Sequence, residues 1–430
     1  MTDEALDVEL VQRAAAFAAD DGEFRMNAGG WTGSVELVGD GGSVTIELAG
    51  GAVSGVQPGP SAAEPDVDHV RITGTTEQWK HLLSAVPPPP FTDVFGAQFV
   101  GVRVEAGPLS ATRHLAVRRL NELLRHAANG TDPAPAVVAT TSRHGQLDAA
   151  VGRYAHLDLE GVVHRVYFEE AGAGIPLLCQ HTAGADSRQW RHFLEDERVT
   201  NRFRVIAYDL PYHGRSLPPE SRAWWTDPYV LTTAFAMSVP LALADALSLD
   251  RPVFIGASVG GMLALDLARY HPNRFRAVIA CEAALKLGPD EQQVPDGAGL
   301  EMDIETDPAS HAASMMSWMA ATAPDARKHE TRLHYAQGAP GVFPGDIHYF
   351  AMDHDLRGEA DLIDTATCPV HLLTGEYDFV TLPASHEAAE RIAGATFAVM
   401  PGLGHFPMSE DPERFAEYVL PILDGIAGTP

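Results

Sequence analysis

Ser258 stands in the run Pro252-Val-Phe-Ile-Gly-Ala-Ser-Val-Gly-Gly261, the one G-x-S-x-G segment of the chain. An apolar stretch leads into it and a helix-compatible stretch leads out, so the serine is expected on a sharp strand-to-helix turn. Small flanking residues keep side chains out of such a turn, and the following helix aims its first N–H groups at the reacting centre. A serine hydroxyl is inert until a base takes its proton, so a histidine and an acid that orients it must lie elsewhere. Val370-His-Leu-Leu-Thr-Gly-Glu-Tyr-Asp378 reads as a strand closed by a glycine turn and an aspartate. Phe397-Ala-Val-Met-Pro-Gly-Leu-Gly-His-Phe-Pro407 reads as the next strand, closed by His405. Both polar residues fall at the carboxyl ends of strands, the edge where open parallel sheets gather their sites. Ser258, His405 and Asp378 are therefore expected as nucleophile, base and acid. Glu282, just past the strand ending at Ala280, is the rival for the acid. The plainer readings are a glycine-rich packing turn, a turn aspartate bonded to its own backbone and a surface histidine.

An attacked carbonyl develops an oxyanion, which needs N–H donors. Val259 is expected to supply one, and the loop Gln180-His-Thr-Ala-Gly184 the other. With elbow, Asp turn and His turn in order, the chain from about Gly152 onward resembles the α/β-hydrolase superfamily. The resemblance implies an oxyanion loop beginning His-Gly. Here His181 matches, Thr182 replaces the glycine and Ala183 is the implied donor. The Thr182 hydroxyl is expected either on the oxyanion or on the following helix as a cap. Asp209-Leu-Pro-Tyr-His-Gly-Arg-Ser216 resembles the family's Asp-x-Pro-Gly-His-Gly-x-Ser turn, with Tyr212 in place of a glycine. That implies a structural turn beneath the site, with Tyr212 as a pocket wall. The resemblance also places a cap in roughly 285–364, where Met315, Met316, Trp318, Met319, His348, Tyr349 and Phe350 are expected to supply an apolar lid. Thr182, Tyr212, Trp318 and Phe406 are the expected substrate-pocket residues.

Positioning these groups requires a particular scaffold. Apolar runs at Val162–Glu169, Pro176–Cys179, Arg204–Tyr208, Val253–Ile255, Ala277–Ala280, Val370–Leu373 and Phe397–Met400 alternate with helical patterns, including Thr233–Leu247, Gly260–Tyr270 and Pro412–Ile426. Such alternation predicts an α/β fold, a mostly parallel sheet flanked by helices. Residues 1–128 read instead as a smaller α+β domain, 129–150 as a linker and 151–430 as the hydrolase domain. In the N-terminal part, Ser34–Val38 and Ser43–Leu48 flank a Gly-Asp-Gly-Gly turn, Val70–Thr73 is a third strand, Thr75–Leu83 a capped helix, and Gln98–Glu105 another strand. Ser110–His126 then sets Leu115, Val117, Leu120, Leu123 and Leu124 on one face, with Arg113, Arg118, Arg119 and Arg125 largely opposite. Over residues 25–127 this order resembles a sterol carrier protein type domain, which implies an apolar lipid tunnel. The alternative is an accessory or dimerising domain with a filled core. The arginine face is read as a contact for an anionic surface, for solvent or for another domain.

The 430 residues carry 30 basic against 58 acidic side chains, a net charge of -28, which repels phosphate backbones and argues against a nucleic-acid partner. No run approaches the roughly 20 apolar residues of a membrane helix. The acidic opening Asp3, Glu4, Asp7 lacks the pattern of a secretory signal, and three widely spaced cysteines read as free thiols, so a cytoplasmic location is expected. No histidine shows paired metal spacing (His348 and His354 lie in a polar loop), and neither metal nor cofactor is expected.

The reaction expected is attack by Ser258 on a hydrophobic ester, lactone or thioester, through an acyl-enzyme that water resolves. Serine at the elbow, rather than aspartate, argues against dehalogenase or epoxide hydrolase chemistry. A carbon–carbon bond hydrolase, a cofactor-free lyase or cyclase, and a non-catalytic lipid-binding protein are the alternatives. The expected partners are a hydrophobic small molecule and a second copy of the chain as a homodimer, without stable membrane insertion.

Overall fold

The computed structural model describes residues 6–134, 144–226, 228–287 and 307–428. The chain divides into two compact units, Met1–Val137 with Ala309–Asp325, and Val138–Pro308 with Ala326–Pro430. Much of the expected linker, and residues 288–306 of the expected cap, lie outside the described residues.

The larger unit is built on eight strands in the order β13-β12-β11-β10-β8-β9-β7-β6. They are β6 (Val151–Leu159), β7 (Val162–Ala171), β8 (Ile175–Gln180), β9 (Phe203–Tyr208), β10 (Val253–Ala257), β11 (Ala277–Cys281), β12 (Val370–Gly375) and β13 (Thr396–Met400). From β13 to β9 every neighbouring pair is parallel, whereas β6 and β7 form an antiparallel hairpin that joins β9 antiparallel. Side chains alternate across the central strands. Leu178 and Phe254 enter the core on one face, while Leu177, Cys179, Val253 and Ile255 enter the core on the other. Helices cover both faces, as the βαβ connections require. All three cysteines are buried and free. Strand β6 is the one element here that the apolar pattern does not announce, because most of its residues are exposed.

The smaller unit holds a sheet ordered β3-β2-β1-β4-β5. Its strands are β1 (Gly33–Gly39), β2 (Gly42–Ala49), β3 (Ala52–Pro58), β4 (His69–Thr73) and β5 (Arg103–Glu105). The β1–β2 hairpin closes with Gly39 opposite Gly42, and β4 pairs parallel with β1. Thr75 and Gln78 form a reciprocal capping box that starts the helix Thr76–Leu82. Phe24, Trp31 and Trp79 are buried in the core between the sheet, α1 (Val8–Asp20) and α2 (Ala111–Asn129).

Two expectations are corrected in this unit. Gln98–Glu105 is not one strand: Gly96–Val100 is a 3-10 turn, Gly101 at φ 93 ends it, and only Arg103–Glu105 pairs. Asp93 starts that turn by accepting the N–H groups of Phe95 and Gly96. The arginines of α2 do not form an outward face either. Arg118 is 2% exposed and pairs with Glu122 and Asp93, and Arg119 pairs with Asp21 and Glu122. Arg125 donates to the carbonyls of Leu82 and Thr92. Burial is tolerable because every charge meets a carboxylate or carbonyl. The segment Ala309–Asp325, from the middle of the expected cap, also belongs here: Ser317 donates to Asp93 at 3.0 Å, and Trp318 meets Phe99 edge-on.

Among the described residues no helix is long and apolar enough to cross a membrane.

Candidate active site

The elbow is dictated by sterics. Between β10 and the helix α3 (Val259–Tyr270), Ser258 takes φ 58 and ψ -116, a conformation that costs a non-glycine residue about 1–3 kcal/mol. A Cβ on Gly256 would lie 2.5 Å from the Gly260 carbonyl, and one on Gly261 would lie 2.0 Å from Cys281 O. These glycines let the helix press against the strand edge. The Ser258 N–H is anchored on Cys281 O at 3.0 Å, and Val259 opens the helix, where a backbone N–H has no intrahelical acceptor.

Asp378 and His405 are brought together. The His405 Nδ1 donates to Asp378 Oδ2 at 2.7 Å, across the ends of the parallel strands β12 and β13. Asp378 also accepts the Thr381 N–H and hydroxyl. The two turns are tied to each other by the Tyr377 N–H on Leu403 O, and Gly375 approaches so closely that a Cβ would meet Gly404 O at 2.4 Å. Glu410, on the short helix Pro407–Glu410, accepts the N–H groups of Gly404 and Phe406 and so fixes the backbone on both sides of His405. Ser258 and His405 are nearly buried, at 4% and 8% exposure.

Glu282 lies beside Asp378, not on the histidine. Its carboxyl accepts the Gly375 N–H and shares a hydrogen bond with Asp378. Burial first, and then the Asp378 charge, push the Glu282 carboxyl well above the usual carboxylate range.

In the oxyanion loop, His181 accepts the Leu210 N–H at Nε2, so its Nδ1 carries the proton and donates to Thr182 O. Burial, with His213 nearby, pushes His181 down to about 4, which keeps it neutral. The Thr182 N–H and hydroxyl both donate to Gln189 Oε1, and the hydroxyl meets Tyr335 OH at 2.5 Å. The following 3-10 turn is capped by Asp186, so Thr182 is not a cap. Ala183 is 3% exposed, and its N–H enters no hydrogen bond among the described residues. Gly184, at φ 66, donates its N–H to Asp346 Oδ2 at 2.8 Å.

Asp346 is a residue that sequence reasoning missed. It is fully buried, and it takes His213 Nε2 at 2.7 Å and the Tyr229 hydroxyl at 3.0 Å as well. His213 also donates from Nδ1 to Pro211 O, so both ring nitrogens act as donors and the ring is cationic. Burial opposes that charge, but Asp346 outweighs it and His213 is shifted up. Asp209 braces the same region by accepting the N–H groups of Ser187 and Arg215.

Of the remaining pocket expectations, Phe406 is fully buried between the rings of His405 and Tyr335. Tyr212 takes φ 75, the left-handed conformation that explains glycine at this turn in the resembling family, and its ring lies 4.7 Å from that of Tyr229. Trp318 lies in the other compact unit. Among the described residues no group of three histidine, cysteine or acidic side chains could hold a metal. The arrangement offers a strained serine, an oriented imidazole and unpaired backbone N–H groups, the parts of an acyl-transfer centre.

The chain belongs to the alpha/beta hydrolase family, whose description matches residues 177–418. It is similar to the protein named "Putative carbamate hydrolase RutD" of Caulobacter sp. (strain K31), with 29% identity over 63% of this chain and 98% of that one. It is also similar to a pimeloyl-[acyl-carrier protein] methyl ester esterase of Neisseria meningitidis, with 28% identity over 56% of this chain and 75% of the relative. Among solved structures, a thermophilic esterase from Thermogutta terrifontis superposes with a TM-score of 0.55 at 22% identity, covering 64% of this chain and all but 1% of that one (99% covered). The protein is an enzyme of this hydrolase family.

Proposed function

We propose that the chain is a serine hydrolase that cleaves a hydrophobic ester, lactone or thioester through an acyl-enzyme. The observation that carries the reading is the His405–Asp378 hydrogen bond at 2.7 Å, at the same carboxyl edge of the parallel sheet as a serine held on a strained elbow. The Asp378 carboxylate fixes the imidazole with its proton on Nδ1, which makes Nε2 the basic nitrogen. As Ser258 Oγ bonds to the substrate carbonyl carbon, its proton passes to Nε2, and the carbonyl oxygen becomes an oxyanion. The Val259 and Ala183 N–H groups stabilise that charge. Collapse expels the alcohol or thiol, which takes the proton, and water then repeats the sequence to release the acid. An apolar surround of Ala183, Val259 and Phe406 favours a hydrophobic acyl group. The name of the methyl ester esterase relative points the same way. The N-terminal unit, whose centre is filled by Trp31 and Trp79, reads as an accessory domain rather than a lipid carrier.

A panel of p-nitrophenyl esters and lactones of rising chain length tests this reading. The expected result is a pre-steady-state burst of p-nitrophenol, with kcat/KM rising from acetate to longer acyl chains. Absence of turnover on every member by well-folded protein would overturn it.

A further inference from the structure

A cavity of 510 Å³ opens within the larger unit, lined by residues of the β6–β7 hairpin and of the loop that follows β9. Ser258, Asp378, His405, Val259 and Ala183 are not among its lining residues. Its walls include His164, Tyr212, Arg222, Trp224, Tyr229 and Phe235. Four of these six carry large aromatic faces, and Tyr212 and Tyr229 lie 4.7 Å apart, a spacing at which rings already interact.

His164 is the unusual member. It is 5% exposed, yet its Nδ1 has no hydrogen-bond partner, a state that buried polar groups rarely tolerate without a ligand or water. Its ring stands edge-on to Phe235 at 5.6 Å and tilted against Tyr212 at 6.5 Å. Burial, and after it the positive charge of Arg222, hold His164 below its ordinary pKa, which favours the neutral imidazole. The same guanidinium charge acts on Tyr212. No carboxylate among the described residues pairs with Arg222, although the chain carries a net charge of -28. Among the described lining residues the one acid, Glu160, is exposed in the hairpin turn at φ 53. Aromatic walls, an exposed guanidinium with no carboxylate partner among the described residues and an unsatisfied imidazole are together complementary to a flat anion.

We propose that this cavity is a second ligand site, which takes a planar aromatic carboxylate. The carboxylate engages Arg222 and the His164 imidazole, and the ring lies among Tyr212, Tyr229 and Trp224. Tyr229 also reaches the proposed catalytic centre, because its hydroxyl donates to the carboxylate of Asp346, which in turn holds the Gly184 N–H of the oxyanion loop.

Isothermal titration of the full-length chain with 2-naphthoate tests the proposal without relying on hydrolysis. The expected result is saturable one-to-one binding to wild type, unchanged in Ser258→Ala. Arg222→Gln should weaken it at least tenfold and His164→Phe at least fivefold, and 2-naphthamide, which lacks the charge, should bind at least tenfold more weakly. Three results would overturn it: no saturable binding to wild type, wild-type affinity in both Arg222→Gln and His164→Phe, or loss of binding only in Ser258→Ala. Thermal melts of each variant separate a lost contact from a lost fold.

Discussion

Glu282 and Asp378 are two fully buried carboxyls that share a hydrogen bond. Glu282 is raised well above the usual carboxylate range, first by burial and then by Asp378. The protonated form of Glu282 is thereby favoured, as the donor of the hydrogen bond shared with Asp378. Glu410 is the other acid acting on Glu282, also against its ionisation.

Glu282→Gln keeps a neutral donor of the same shape, so the pH profile of kcat/KM should superimpose on that of wild type. If Glu282 were ionised, removing its charge would move the acidic limb down by about one pH unit, about 1.4 kcal/mol. Glu282→Leu should lower kcat by roughly tenfold with KM little changed, because it removes a hydrogen bond of about 1.5 kcal/mol to a charged partner.

Thr182→Val tests whether the hydroxyl acts on the oxyanion. The hydroxyl is committed to Gln189 and Tyr335, so its loss should cost about 1–3 kcal/mol of stability and change kcat less than threefold. A fall in kcat of about 100-fold with an unchanged melting temperature would place the hydroxyl on the oxyanion instead.

The buried pair of His213 and Asp346 makes stability depend on pH. The folded-state pKa of His213 is raised, so its contribution is complete below the unfolded value of 6.5 and is lost as pH rises through the folded value. Urea unfolding across that window should show stability declining toward alkaline pH. Asp346→Asn should flatten the decline and also lower kcat, because Gly184 loses its charged acceptor. An unaltered slope in Asp346→Asn would contradict the assignment.

In the smaller unit, Arg118→Met removes the buried guanidinium that pairs with Asp93 and Glu122, and leaves Glu122 with Arg119. Breaking one side of such a pair costs about 3–5 kcal/mol, so the unfolding transition of this unit should fall sharply in calorimetry. A loss below about 1 kcal/mol would indicate that the cluster is hydrated.

The elbow, the Asp turn and the His turn were legible because each is a short apolar run ended by glycine and one polar residue. Chain order alone then proposes Ser258, Asp378 and His405 for the site. The residues that hold them were not legible, since their partners lie far away in sequence: Asp346 meets Gly184 across 162 positions, and Thr182 meets Tyr335 across 153. The α2 arginines were misread for the same reason, as Asp21 is 98 positions from Arg119. Periodicity reports which face is apolar, but not that an opposite face is also covered. Likewise β6 is mostly exposed, and a strand whose side chains meet water leaves little apolar signal.

The central claim is an activated Ser258. It is tested most directly by incubating wild type and Ser258→Ala with a fluorophosphonate probe and measuring intact mass, followed by peptide mapping. The expected result is a single adduct on wild type, located on Ser258 and absent from the variant. No adduct on well-folded wild type, or one that persists in Ser258→Ala, would contradict it.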